Sequence, residues 1–226
     1  MEARLHTIGV QSLKTRYDYP EDYWTIDGIP VVEYLETYVK EGQCPDLSVF
    51  GSMLGLMPAW NGNLLQKWEN DFIWELVSSP EDLNVPILVC EDDCDLSCIV
   101  IVAKIRKAEN RVYWDRLGYL DRANWDTEAE RNAGILCLDA YTDEDWQKYG
   151  DNIATESYGS HEYWEWVGTH GYEEQIRRLR NYMKPYLQED ANIQWIKEVN
   201  WVFERKQYEE MVEKYRKIAA VHLQTV

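Results

Sequence analysis

Residues 85–117, VPILVCEDDCDLSCIVIVAKIRKAENRVYWDRL, decide the fold of this chain because three β-rich segments follow one another closely there. Residues 85–90 and 98–105 are short runs rich in β-branched side chains, and residues 111–117 alternate apolar with polar side chains. Both patterns are typical of strands. Because a parallel crossover needs about a dozen residues or more, the short links favour antiparallel neighbours.

A fourth strand is predicted at residues 134–141, after a link long enough for a crossover. Periodic segments on both sides of the strand region predict helices. The sequence therefore predicts an α+β fold: an antiparallel or mixed central sheet of about four or five strands, with helices packed on it and a C-terminal helical hairpin.

Ahead of the strand region, the pair Asp27-Gly28 is a strong signal for a two-residue hairpin turn. Residues 31–39 place apolar side chains on one helical face. A second helix is predicted at residues 63–77, with Asn63 as its N-cap.

Behind the strand region, short helices are predicted at residues 142–149 and 160–167. Residues 192–203 and 207–223 each carry an apolar stripe, which predicts two helices that form the hairpin. No repeat or linker divides the chain. We therefore expect a single domain over residues 1–226, with an acidic α+β body at 1–171 and a helical C-terminal part at 172–226.

The chain is strongly acidic yet rich in aromatic residues, with 41 Asp and Glu against 23 Lys and Arg, and with 11 Trp and 16 Tyr. Disordered acidic tails contain few aromatics, so the charge belongs to a folded body. Residues 1–175 carry a net charge of −21, whereas residues 176–226 carry +3. This acidity argues against direct binding of nucleic acid and favours a basic partner.

The expected location is the cytoplasm. No apolar run approaches the roughly 20 residues of a membrane helix, and the first residues lack the apolar core of a signal peptide. Five cysteines are an odd number, which suits a reducing compartment. We therefore expect no membrane association.

Cys90, Cys94 and Cys98 form a C-x3-C-x3-C pattern beside several aspartates, which in principle could hold a metal ion. The spacing differs from that of the common zinc and iron–sulfur motifs. The acidic turn between them also lacks the spacing of a calcium loop. The sequence therefore favours a hairpin with buried thiols, and neither a metal nor a cofactor is expected.

No catalytic residue is predicted, and the sequence favours a protein that is not an enzyme. The histidines show no metal-binding or nucleophile-activating pattern. The alternative is a small hydrolase with an Asp/Glu pair in a Trp-lined cleft, an idea suggested by Glu165 between Trp164 and Trp166. No second carboxylate is placed opposite Glu165 by the sequence.

Four segments within residues 86–154 carry a resemblance: PILVCEDDCDLSCIVIV, VYWDRLG, GILCLDAYTDEDW and YGDNIA. This region, about a third of the chain, resembles cytoplasmic proteins of Firmicute type that are associated with the immunity proteins of bacterial polymorphic-toxin systems. The resemblance implies a small acidic α+β protein that binds a toxin domain, often a cationic nuclease, and blocks it.

The leading expectation is an acidic protein-binding module, an immunity-type inhibitor that covers the basic active site of a partner toxin or nuclease. Tryptophans beside dense carboxylates suit such an interface, because aromatic side chains supply much of the binding energy and acidic groups speed the capture of a basic partner. The sequence predicts no oligomeric state. The expected partner-binding residues are Asp92, Asp93, Asp95, Asp143, Glu144, Asp145, Trp146, Trp164, Glu165 and Trp166.

Overall fold

The computed structural model describes residues 4–41, 55–134, 144 and 171–222. The chain divides into two compact units, Met1–Asp121 together with Ile193–Val226, and Arg122–Asn192. The second unit is thus inserted into the first, and the division expected between residues 171 and 172 does not coincide with either boundary. No helix within the described ranges is both long enough and apolar enough to cross a membrane.

The first unit contains a three-stranded antiparallel sheet and a helix that follows it directly. Its elements are β1 (Ile8–Lys14), β2 (Pro20–Ile26), β3 (Ile29–Pro30) and α1 (Val31–Lys40). The predicted turn is confirmed, because Asp27 and Gly28 both have positive φ and join the pair Ile26 and Ile29. Such backbone angles suit a hairpin turn that matches strand twist.

A second sheet in the same unit has five strands, all antiparallel to their neighbours, in the order β4-β5-β6-β7-β8. Its strands are β4 (Leu56–Pro58), β5 (Leu83–Cys90), β6 (Val100–Lys107), β7 (Arg111–Leu120) and β8 (Ile193–Glu204). The α+β fold and the antiparallel meander from β5 to β7 are therefore confirmed.

The prediction of a C-terminal helical hairpin is wrong, because the segment predicted as its first helix, residues 192–203, is strand β8 from Ile193 onward. Two irregularities in the pairing of β8 with β7 interrupt the alternation of side chains, and Asn200 has a φ of 49°. An extra residue in a strand shifts the alternation, so the apolar positions Ile193 and Ile196 lie three apart as they would in a helix. The second arm is a helix as predicted, α6 (Arg205–His222).

Two other boundaries differ from the predictions. Helix α2 (Lys67–Ser78) begins four residues after Asn63, whose side chain binds Glu21 and does not cap the helix. Gly134 ends a helix, and the remainder of the strand predicted at 134–141 lies outside the described residues. Besides β6, strand β7 pairs with β8, which follows about 70 residues later in the chain.

The core of the first unit is aromatic. Trp24, Trp60, Trp114 and Tyr215 are fully buried. The ring centroids of Trp24 and Tyr215 lie 3.8 Å apart in a stacked arrangement, and those of Trp24 and Trp60 lie 4.5 Å apart edge to face. Aromatic pairs in such geometries add to the free energy of burial. Because Tyr215 belongs to α6 and Trp24 to β2, this cluster fastens the C-terminal helix to the first sheet.

The described part of the second unit is helical. Its elements are α3 (Thr127–Gly134), α4 (Tyr172–Arg178), a π-helical turn at Leu179–Met183, and α5 (Lys184–Gln188). Arg178 and Glu174 form a buried ion pair, with Nη2 and Oε1 3.0 Å apart. The ring of Trp125 packs edge to face against Tyr182 and Tyr186.

Candidate functional site

The turn between β1 and β2, residues 15–19, presents aromatic and charged side chains to solvent. The backbone N–H of Thr15 donates to the carbonyl oxygen of Tyr19 over 2.8 Å, which closes the turn. Asp18 adopts a φ of 67°, a left-handed conformation that Asp tolerates better than most residues. The side chains of Tyr17 and Tyr19 are 52% and 65% exposed.

The turn between β5 and β6, residues 91–99, is held by internal hydrogen bonds and by α2. The Cys94 N–H donates to the Cys90 carbonyl oxygen over 3.0 Å. The Asp95 carboxylate accepts hydrogen bonds from the N–H and the hydroxyl of Ser97, each over 2.7 Å. Leu96 is buried, and its N–H donates to Glu69 of α2. The turn is therefore a fixed platform for its acidic side chains.

A charged contact joins the two turns. The Arg16 guanidinium and the Tyr17 hydroxyl both donate to Oδ1 of Asp92. The hydrogen bond from Arg16 and, to a smaller extent, that from Tyr17 lower the pKa of Asp92 and keep its carboxylate ionised. The same contact raises the pKa of Arg16. Residues that lie about 75 positions apart in the chain thus share one surface.

We call this region the acidic–tyrosine surface. It consists of Tyr17, Asp18, Tyr19, Leu65, Asp92 and Asp93, all of which are exposed. Leu65 belongs to it because its N–H donates to the Cys94 carbonyl oxygen over 2.7 Å and its side chain is 68% exposed. An apolar and aromatic area with carboxylates at its edge is the composition that suits a protein contact.

The structure places the expected partner-binding residues in different environments. Asp92 and Asp93 lie together on the acidic–tyrosine surface, whereas the carboxylate of Asp95 is occupied within its own turn. Glu144 is an exposed helical residue. The other six lie outside the described residues: Asp143, Asp145, Trp146, Trp164, Glu165 and Trp166.

The sequence predicts tryptophans as the aromatic anchors and does not identify the tyrosines of this surface. Trp24 lies in an acidic stretch of the sequence, but both Trp24 and Trp60 are fully buried in the core. The segment YDYPEDYW at 17–24 carries a detectable signal, since Tyr17 and Tyr19 precede a proline at which the strand begins.

A polar network of the buried Asn61 and the half-buried Glu21, Asn63 and His222 was not predicted. The Asn63 amide donates to both oxygens of Glu21, over 2.8 and 3.0 Å, and the Asn61 amide donates to one of them. Nδ1 of His222 lies 2.8 Å from the backbone carbonyl oxygen of Asn61. Because a carbonyl oxygen can only accept a hydrogen bond, this nitrogen carries the proton. Burial raises the pKa of Glu21, an effect that the Asn63 amide partly offsets.

Glu91 adds a second carboxylate to this region. The residue is 8% exposed, and neither of its carboxylate oxygens has a hydrogen-bond partner among the residues that the structure describes. Burial and, to a smaller extent, the negative charges of Glu91 and Glu21 raise the pKa of Tyr23. Trp24, three residues after Glu21, is a core residue, and Trp164, Glu165 and Trp166 of the hydrolase alternative lie outside the described residues.

The thiols of the β5–β6 turn differ from one another. Cys90 is buried as expected, whereas Cys94 and Cys98 are half-buried. Sγ of Cys94 donates to the Glu91 carbonyl oxygen over 3.0 Å. One ligand atom from each of Cys90, Asp93 and Cys98 lies within 4.8 Å of the others, an arrangement that could hold a metal ion. Burial, with Asp93 and Cys90 as neighbours, raises the pKa of Cys98 to about 12.

Comparison with models of known protein families, with curated proteins and with solved structures found no match for this chain.

Proposed function

We propose that this chain is an acidic protein-binding module that captures a basic protein through the acidic–tyrosine surface. The observation that carries this proposal is the pairing of two exposed tyrosines, Tyr17 and Tyr19, with exposed carboxylates on an adjoining turn. Aromatic side chains bury a large area at little cost in conformational entropy, and they dominate the binding energy of protein interfaces.

Charge supports a basic partner in particular. Four solvent-accessible carboxylates lie on the two turns, those of Asp18, Asp92, Asp93 and Asp95, against the cations of Lys14 and Arg16. The whole chain carries a formal charge of −18. A like-signed field of this kind repels polyanions and accelerates the approach of a cationic surface.

The surface is also built to hold its shape. The contact of Arg16 and Tyr17 with Asp92 ties one turn to the other, and Leu96 anchors the second turn beneath the surface. A preorganised binding surface loses less conformational entropy on association than a mobile one. An inhibitor of the immunity type, which covers the basic active site of a toxin or nuclease, is the class of binding protein that we propose.

The proposal can be tested by immobilising the chain, capturing proteins from a lysate of its native source, and measuring the association of a captured protein across a series of NaCl concentrations. We expect a basic partner whose association rate falls steeply as salt rises, since screening weakens steering between charged surfaces. Tyr19→Ala should weaken binding about tenfold or more, as at an interface hot spot. Asp18→Asn should slow association, and asparagine tolerates the left-handed backbone at this position.

Matched controls lie at the far ends of the same strands. Glu109→Gln changes an exposed carboxylate in the β6–β7 turn, and Ile29→Ala truncates an exposed apolar residue beyond the other end of β2. Both should bind as the unmodified protein does. A flat salt response would contradict the electrostatic part of the proposal. Equal losses in the control variants would contradict the assignment of the surface.

A further inference from the structure

The β5–β6 turn brings two cysteines together at the end of a strand pair. The last residue pair of the ladder is Val89 with Val100, and the Cys90 N–H donates to the Ile99 carbonyl oxygen over 3.0 Å. Cys90 and Cys98 therefore lie on neighbouring chains just beyond the paired strands. The hydrogen bond from Cys94 to Cys90 folds the turn back and brings Asp93 over the two thiols.

We propose that Cys90, Asp93 and Cys98 form a binding site for a thiophilic divalent metal ion, with Zn²⁺ as its natural occupant. Their ligand atoms lie within 4.8 Å of one another. In a tetrahedral zinc site with Zn–S distances of about 2.3 Å, ligand atoms lie about 3.5–3.8 Å apart. A contraction of at most about 1 Å thus completes the site, and Asp93, whose side chain is exposed, can change its rotamer.

The chemistry of the ligands selects the class of metal. Two thiolates with one carboxylate favour zinc and related ions, whereas calcium and magnesium require oxygen ligands. Three protein ligands leave the fourth tetrahedral position open to solvent, because Asp93 is exposed and Cys98 is half-buried. The ligand spacing is C-x2-D-x4-C, which differs from the C-x3-C-x3-C pattern visible in the sequence.

Cys94 and Asp92 lie next to the proposed ligands in the sequence, but each has other contacts. Cys94 is not a ligand, because its thiol donates to the Glu91 carbonyl oxygen. Asp92 is not a ligand either, because one of its oxygens is held by Arg16 and Tyr17 and the other lies 4.0 Å from Sγ of Cys90.

The test is a titration of the reduced, metal-free protein with Co²⁺, followed by competition with Zn²⁺. Thiolate ligation of cobalt produces a charge-transfer band in the near ultraviolet and intense visible bands when the site is tetrahedral. We expect both to saturate at one cobalt per chain and to disappear on addition of zinc. Zinc should also raise the thermal midpoint of unfolding, because it binds the folded state.

The variants separate the proposed ligands from their neighbours. Cys98→Ser should abolish the charge-transfer band and the zinc-dependent rise in thermal midpoint, and Asp93→Asn should weaken cobalt binding by about tenfold or more. Cys94→Ser is the matched control, and it should bind cobalt as the unmodified protein does. Far-ultraviolet circular dichroism of each metal-free variant verifies that it is folded.

Three outcomes would overturn the proposal. The first is the absence of a charge-transfer band in the fully reduced protein. The second is a band that persists in folded Cys98→Ser or is lost equally in Cys94→Ser. The third is a Cys90–Cys98 disulfide in the purified protein combined with no cobalt binding after reduction, which would make the pair a redox element. Because the titration uses no protein partner, its result is independent of the proposed function.

Discussion

Gly62 stands where its backbone conformation and its surroundings both demand glycine. Its φ is +81°, and a Cβ atom at this position would lie 2.8 Å from the carbonyl oxygen and 2.9 Å from the Cα of Ala219 in α6. Gly28 has almost the same φ, +82°, but a Cβ atom there would meet nothing within 4 Å. The two glycines therefore separate backbone strain from close packing.

We predict that Gly28→Ala lowers the free energy of unfolding by about 1–2 kcal/mol, the cost of a left-handed alanine. Gly62→Ala should carry the same cost and a further 1–3 kcal/mol or so, because the methyl group must displace the backbone of α6. Urea unfolding of both variants and of the unmodified protein measures the difference. Equal losses at the two sites would show that α6 does not pack against Gly62.

At the scale of elements, α6 is held by two buried tyrosines, Tyr208 against Phe203 of β8 and Tyr215 against the first sheet. Tyr215 stacks on Trp24 of β2, and its hydroxyl donates to the carbonyl oxygen of Asp22. The opposite side of the helix is exposed, as at Lys217. A helix this polar, with few buried residues, derives its stability from tertiary packing more than from its own propensity.

Truncation of Tyr215 should therefore detach α6 from the first sheet. We predict that Tyr215→Ala lowers the free energy of unfolding by about 3–5 kcal/mol, as for other large aromatic truncations in cores. Lys217 is exposed on the opposite side of the helix, so Lys217→Ala should change the free energy of unfolding by no more than about 0.5 kcal/mol. Chemical denaturation monitored by tryptophan fluorescence measures both. A small effect at Tyr215 would contradict the role assigned to the aromatic cluster.

The strand and helix boundaries show which elements could be predicted locally. The meander from β5 to β7 was predictable because β-branched runs and short links both point to antiparallel strands. Strand β8 was not, because its irregular pairing places Ile193 and Ile196 at a helical spacing. Its strand conformation comes from pairing with β7, a contact that no local pattern in residues 193–204 reveals.

The whole molecule is dominated by negative charge. Its formal charge of −18 gives an isoelectric point near 4.6. Mutual repulsion of like charges destabilises a compact state at neutral pH, and the Debye length of about 10 Å at 0.1 M salt means that added ions screen this repulsion.

We predict that the thermal midpoint of unfolding at pH 7 rises as NaCl is increased from about 0.01 M to about 0.2 M. The same series near pH 4.6, where the net charge is close to zero, should show a much smaller effect. Differential scanning calorimetry at low protein concentration provides both measurements. A midpoint that is insensitive to salt at pH 7 would show that the acidic groups do not repel one another appreciably in the folded state.

The candidate site could be predicted only in part. The sequence identified Asp92 and Asp93 as exposed acidic residues of a turn, and both lie on the acidic–tyrosine surface. It did not identify Tyr17 and Tyr19 as their neighbours, and it did not distinguish Asp93 from the other aspartates beside Cys90 and Cys98. Both relations depend on how the turns are folded and on which turns meet.

The sequence by itself determined the antiparallel strands after residue 83, the Asp27-Gly28 turn and the acidity of the chain. These properties follow from side-chain periodicity, local backbone preference and charge, which need only neighbouring residues. The tertiary structure alone decided that the β1–β2 turn lies beside the β5–β6 turn and that β8 joins β7. Those contacts join residues about 75 to 90 positions apart, and they form because packing around the buried tryptophans and the pairing of strand edges select one arrangement among many that satisfy the local pattern.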